Sequence, residues 1–174
     1  MKIQYIPRYT YADYFLWKGD WELINGYPFA MPALRTMPHQ RVVTDFLCEV
    51  GNQLHEIKLE CQVISNLDWI IDDQNVVRPD VMIFDGKIPE AYLQHPPIWV
   101  AEILSPSTAF RDQIVKKELY AEQGVKYYLI ADTDKKIVAI YELINGEYQI
   151  KPDSRFDLTD HCSIQLDIEA IMNT

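Results

Sequence analysis

Between Pro38 and Ile57 the apolar residues Val42, Val43, Phe46, Leu47, Val50 and Leu54 recur at three- and four-residue spacing. That is the period of one helical face, and it predicts a long amphipathic helix. A second helix is expected from Asp112 to Gln123, ended by Gly124 in a left-handed cap. IPRYTYADYFLW predicts a short helix with Thr10 as N-cap and Tyr14, Phe15 and Trp17 on its packing side. The other apolar segments are strand-like: CQVISNL, DWII, VVRPDVMIF, IWVAEIL, KYYLIAD, KKIVAIYELI and EYQIK. The string ELING occurs at Glu22–Gly26 and again at Glu142–Gly146, each time between extended runs. Asn-Gly suits the positive φ values of a two-residue turn, so two hairpins are predicted. Pro79 inside VVRPDVMIF marks an edge or a bulge, where a missing N–H does no harm. IWVAEIL, apolar around a single Glu102, has the profile of a strand buried on both faces. The tail DLTDHCSIQLDIEAIMNT predicts a strand and a short closing helix. Helices interleaved with strands, without linker or low-complexity stretch, give an α/β (α+β) chain. A single domain over residues 1–174, a mixed sheet sandwiched by helices, is expected.

Composition narrows the classes. The chain is 48% apolar and 12% aromatic, too rich in both to remain disordered. No apolar stretch reaches the roughly 18–20 residues of a transmembrane helix, and Pro7 interrupts the place where a signal peptide needs its apolar run. A cytoplasmic protein without membrane contact is expected. Sixteen Lys plus Arg against twenty-six Asp plus Glu leave a net charge of −10. A broad basic surface for phosphates is therefore excluded, though a local cationic or metal site is not. Cys48, Cys61 and Cys162 form no CxxC pair and are expected as reduced structural thiols.

Two acids stand out. Glu102 and Asp80 each occupy an apolar strand, where an ionised carboxylate is costly unless paired, protonated or bound to a cation. Two such strands side by side could bring both acids to one divalent ion. Asp80 could instead pair with Arg78, two residues away on the same strand face, and Glu102 could meet a helix N-terminus. On the following helix, at about 100° per residue, Lys116 falls between Leu119 and Tyr120 and faces the sheet, while Lys117 turns to solvent. An inward lysine near two buried acids is a structural ion pair or a catalytic cation. With the polar SPST loop, the set points to phosphodiester hydrolysis: a metal to activate water, a lysine to orient it or offset phosphate charge.

The succession RPDVMIF, WVAEILSPST and D-x-x-x-K-x-x-x-Y-x-x-x-G-V-x-Y-Y resembles the bacterial Uma-type "putative restriction endonuclease" family of the PD-(D/E)xK nuclease superfamily. The resemblance runs from WELINGYPFAMPA through YLIAD. It implies a restriction-endonuclease-like core, a divalent metal such as Mg²⁺ with Mn²⁺ as substitute, and DNA as substrate. Pro79-Asp80 matches the PD element and Glu102 the acidic element. Where the strict motif sets lysine this chain has Leu104, and the lysine matches Lys116 on the next helix. The family hairpin implies Glu22 as a further metal ligand, though it could equally be an exposed hairpin acid like Glu142. His39 matches a family histidine near the site, and could equally be a helix-start residue satisfied by backbone groups. Ser105, Ser107 and Thr108 are placed to meet a phosphate at the helix start, with Arg111 and Lys117 adding local attraction. A metal-dependent endodeoxyribonuclease is the leading expectation. The alternatives are a catalytically silent nuclease-fold binding module and a metal-dependent phosphodiesterase on a smaller substrate. Two-strand cleavage by two-fold symmetry makes a homodimer an available assembly.

Overall fold

In the computed structural model, which describes residues 6–31, 36–57, 60–86, 91–106, 108–160 and 162–173, six strands form the central sheet. Their order is β10 (Glu147–Ile150), β9 (Ile137–Ile144), β8 (Tyr127–Asp132), β7 (Trp99–Ile103), β6 (Val81–Phe84) and β3 (Gln62–Ile64). Only β7 and β8 run parallel. Parallel neighbours need a crossover, and here it is a π-helical turn, Arg111–Lys116, continuing into α3, Lys117–Glu122. Gly124 (φ 78°) ends it as expected. All five residues of β7 are buried, because both faces of the sheet are covered.

The helix α2 (Met37–Ile57) lies on one face. Its Val42, Val43, Phe46, Val50 and Leu54 pack against Val81, Ile83, Trp99, Ala101 and Leu129. The β11–β12 hairpin (Arg155–Thr159 and Cys162–Gln165) and α4 (Ile168–Asn173) close that core with Phe156, Ile164 and Ile171. Where one strand was expected in the tail, two form, because the chain reverses after Thr159.

The opposite face carries α3 and a second sheet, β2 (Tyr27–Ala30), β1 (Trp21–Ile24), β5 (Asn75–Val77) and β4 (Trp69–Asp72). Ile24, Trp69 and Val77 meet Met82, Val100, Tyr120 and Tyr128 there. Both Asn-Gly turns form as predicted: Asn25 and Gly26 have φ of 52° and 76°, Asn145 and Gly146 of 53° and 84°. At Gly26 a Cβ would also sit 3.1 Å from Arg8 Cβ and 3.2 Å from the Tyr9 carbonyl oxygen. Thr10 caps α1 (Tyr11–Tyr14), and Asp13 completes a capping box. Phe15, expected on the packing side, is 66% exposed because the helix ends before it.

VVRPDVMIF is two strands rather than one with an edge or bulge. β5 ends at Val77 in the small sheet and β6 begins at Val81 in the large one. Proline lacks the ladder N–H and restricts the residue before it, so the ladder breaks at Arg78–Asp80. Among the described residues no helix is long and apolar enough to cross a membrane.

Candidate active site

The antiparallel register of β6 and β7 pairs Val81 with Ala101, and one step further sets Asp80 opposite Glu102. Asp80 Oδ2 accepts the Ile103 N–H at 2.9 Å and lies 3.2 Å from His39 Nε2, in the first turn of α2. Glu102 Oε1 accepts from Lys116 Nζ at 2.9 Å and from the Tyr120 hydroxyl at 2.8 Å. Lys116 Nζ also reaches Glu22 Oε1 at 2.6 Å and Asp112 Oδ1 at 3.5 Å. Glu22, on β1, accepts the Arg78 N–H at 3.0 Å as well. All five residues singled out in the sequence are therefore buried, none more than 4% exposed: Glu22 and Glu102 meet at Lys116, and Asp80 and His39 pair beside them.

Several alternatives resolve. Arg78 pairs with Asp68 and Asp20, both at 2.6 Å, rather than with Asp80. Glu22 is fully buried, unlike the hairpin acid Glu142, because β1 pairs with β5 and presses against the crossover. Lys117 departs from expectation. It is half-buried, with its ammonium 3.6 Å above the Tyr141 ring, because β9 lies beside the helix. Arg111, expected as a source of local attraction, is 8% exposed beside Glu22. Ser105 and Thr108 face each other, 3.0 Å between hydroxyl oxygens, and Ser107 lies outside the described residues.

Asp112 and Tyr120 are the site residues that sequence reasoning missed. Asp112 had a signal: Asp and Lys four apart share a helix face, so an inward Lys116 implies an inward Asp112. Tyr120 was assigned only to the apolar face of its helix, and its hydroxyl is what completes the Glu102 contacts.

Burial, reinforced by the Asp112, Asp80 and Glu22 charges and opposed by Lys116, pushes the Glu102 carboxyl up to about 8. Burial likewise raises Asp112. Burial alone would lower the Lys116 pKa, but Glu102, Glu22 and Asp112 outweigh it and hold the ammonium protonated. Burial and Glu102 raise Tyr120, which stays a phenol donor. Among the described residues the acids Glu22, Asp80, Glu102 and Asp112 thus gather around the cations Lys116 and Arg111, so acidic groups outnumber permanent cations in the pocket. Such a site can hold a proton between carboxylates or accept a cation. Among the described residues no three His, Cys, Asp or Glu side chains enclose a common point as a ready-made metal cage.

A crystal structure described as "a putative nuclease belonging to DUF820" from Anabaena variabilis has the same fold, with a TM-score of 0.76 at 17% identity. The match covers 94% of this chain and 97% of that one. Comparison with curated protein sequences finds no match. The family model described as "Uma2: Putative restriction endonuclease" matches residues 11–169, from the Thr10-capped helix into the closing helix. The match takes in Glu22, Asp80, Glu102 and Lys116, and the chain belongs to that family.

Proposed function

We propose that this protein is a divalent-metal-dependent endonuclease that hydrolyses DNA phosphodiester bonds. The observation that carries the reading is the buried Lys116–Glu102 pair with Asp80 set opposite Glu102 on the neighbouring strand, in a chain of this family. The donor set fits a hard cation. Glu22 Oε2 and Asp112 Oδ1 are buried oxygens with no hydrogen bond among the described residues, and Mg²⁺ needs only one or two carboxylates plus waters. Asp80 and Glu102 would hold Mg²⁺ or Mn²⁺, with Glu22 the next carboxylate in the cluster. When bound, the ion supplies Lewis acidity at the phosphate and lowers the pKa of bound water.

The protein's own groups do the positioning. The Ile103 N–H and His39 fix the Asp80 carboxylate, and Tyr120 fixes Glu102. Lys116, kept charged by its acidic neighbours, orients the attacking water and offsets charge developing on the transferred phosphate. Glu22 and Asp112 hold the lysine in place. A homodimer would present two such sites by two-fold symmetry.

Purified protein incubated with plasmid and with single-stranded DNA, in Mg²⁺, Mn²⁺ or chelator, tests this. Cleavage is expected with either ion, and should disappear in chelator and in Asp80→Asn. Intact DNA under every condition would overturn the reading and leave a nuclease-fold binding module. The net charge of −10 and the burial of every site carboxylate favour one second reading, a smaller phosphodiester substrate. Turnover of bis(p-nitrophenyl) phosphate without DNA cleavage would establish it.

A further inference from the structure

Arg111 is a buried charge that the chemistry above does not use. Its side chain lies with the guanidinium carbon 5.3 Å from the centre of the Phe29 ring and Nε 3.3 Å from Glu22 Oε2. The approach is an ion pair without a hydrogen bond, since both atoms are buried with no hydrogen-bond partner among the described residues. A structural arginine usually turns its fork onto a carboxylate in two parallel hydrogen bonds. Here the guanidinium lies over the aromatic ring while the buried Nε–H goes unused, although burying an unmade donor is costly.

Backbone geometry explains how the side chain comes to be there. Five residues along an α-helix rotate a side chain by about 140° from its starting direction, which would carry Arg111 away from Lys116. In a π turn the hydrogen bond closes over five residues, so positions 111 and 116 fall nearly in line. The turn spans Arg111–Lys116, and it turns Arg111, Asp112 and Lys116 inward together. A rare backbone form is thereby spent on adding a guanidinium to a site that already has its lysine.

We propose that Arg111 is an oxyanion-binding residue of this site, its guanidinium fork taking the non-bridging oxygens of the phosphodiester to be cleaved. A planar fork suits a tetrahedral phosphate's paired oxygens better than it suits a single point acceptor. The inference rests on the nuclease reading for its substrate, but not for the anion site itself.

The test is fluorescence anisotropy of a short single-stranded oligonucleotide in chelator, from low to high salt, for wild type, Arg111→Gln and Arg111→Lys. Arg111→Gln is expected to weaken binding about ten- to a hundredfold and to flatten the slope of log K against log salt by about 0.7. Arg111→Lys keeps the charge and loses the fork, so its slope should match wild type while its affinity falls about tenfold. If Arg111→Gln does not fold, the Arg111→Lys result alone decides. Unchanged affinity in the variants, with wild type cleaving DNA, overturns the Arg111 inference and leaves the nuclease reading standing. If wild type neither binds nor cuts DNA, stabilisation by inorganic phosphate decides instead. A rise in melting temperature lost in Arg111→Gln upholds the anion site, and no rise in wild type overturns it.

Discussion

Replacing Lys116 with methionine keeps most of the side chain's volume and removes only the ammonium. Three carboxylates then lose a cation held at 2.6 Å, 2.9 Å and 3.5 Å, in a site where the lysine is 2% exposed. Breaking a buried ion pair from one side costs about 3–5 kcal/mol. In a domain of this size each kcal/mol moves the melting temperature by about 2–4 °C, so at pH 8 a loss of roughly 6–20 °C is expected. The loss should depend on pH in a defined direction. Glu102 is already raised to about 8 by burial and its acidic neighbours, and without Lys116 the one group lowering it is gone. A carboxyl with its folded pKa above the unfolded value stabilises the protein below the unfolded pKa and ceases to as pH rises through the folded one. Wild-type Glu102, raised to about 8, shares this loss up to that pH, so the variant's deficit should be nearly constant from pH 5 to pH 8 and grow above it, by at most about 1.4 kcal/mol per pH unit. Differential scanning calorimetry at pH 6.5, 8 and 9.5 measures this directly. Lys117→Met is the internal comparison: it loses only a half-exposed cation–π contact over Tyr141, worth about 0.5–1 kcal/mol, with no pH trend. A Lys116→Met deficit no larger at pH 9.5 than at pH 6.5, or no larger than that of Lys117→Met, would refute the electrostatic account of the site.

Glu102→Gln preserves an acceptor for Lys116 and Tyr120, so it should abolish cleavage yet melt above wild type at pH 8, the gain vanishing at pH 5. Lower stability than wild type at pH 8 would count against the raised carboxyl. Millimolar Mn²⁺ should raise the wild-type melting temperature, by the equivalent of about 2.7 kcal/mol at a hundredfold excess over Kd; Asp80→Asn should lose that rise in the same titration. Gly26→Ala forces a side chain into positive φ 3.1 Å from Arg8 Cβ, and should cost about 1–3 kcal/mol by urea denaturation. A neutral result would mean that the turn can relax.

The strong periodic signals were legible along the chain. The α2 face, the two Asn-Gly hairpins and the doubly buried β7 follow from local spacing, and they formed as expected. So did the inward direction of Lys116, because the adjacent Leu119 and Tyr120 fix which side of the helix is buried. Asp80 and Glu102 could be found because charge in an apolar strand needs a reason. Glu22 could not be separated from Glu142 by local pattern, since the same ELING string forms both turns. Only the pairing of β1 with β5, a long-range event, buries the first and leaves the second half-exposed. The π turn escaped for a similar reason. Helical-wheel reasoning assumes 3.6 residues per turn, and with the helix begun at Asp112 it turned Lys116 inward and left Arg111 outside the helix. The break at Pro79 was visible as a perturbation, but whether proline makes a bulge or parts two sheets depends on what Val77 and Val81 pair with.

The break between β5 and β6 also bears on how the molecule comes to exist. Glu22 arrives from one sheet, Glu102 from the other, and Lys116 from a crossover that is synthesised after both. Contacts between residues so far apart in sequence form slowly, because the intervening chain must be ordered before they return any stability. A nascent chain that has emerged only as far as β7 already holds three of the buried acids, with neither Arg111 nor Lys116 to balance them. Such a fragment holds its acids without these counter-charges, so the cationic turn is the last of the described segments needed to balance the cluster.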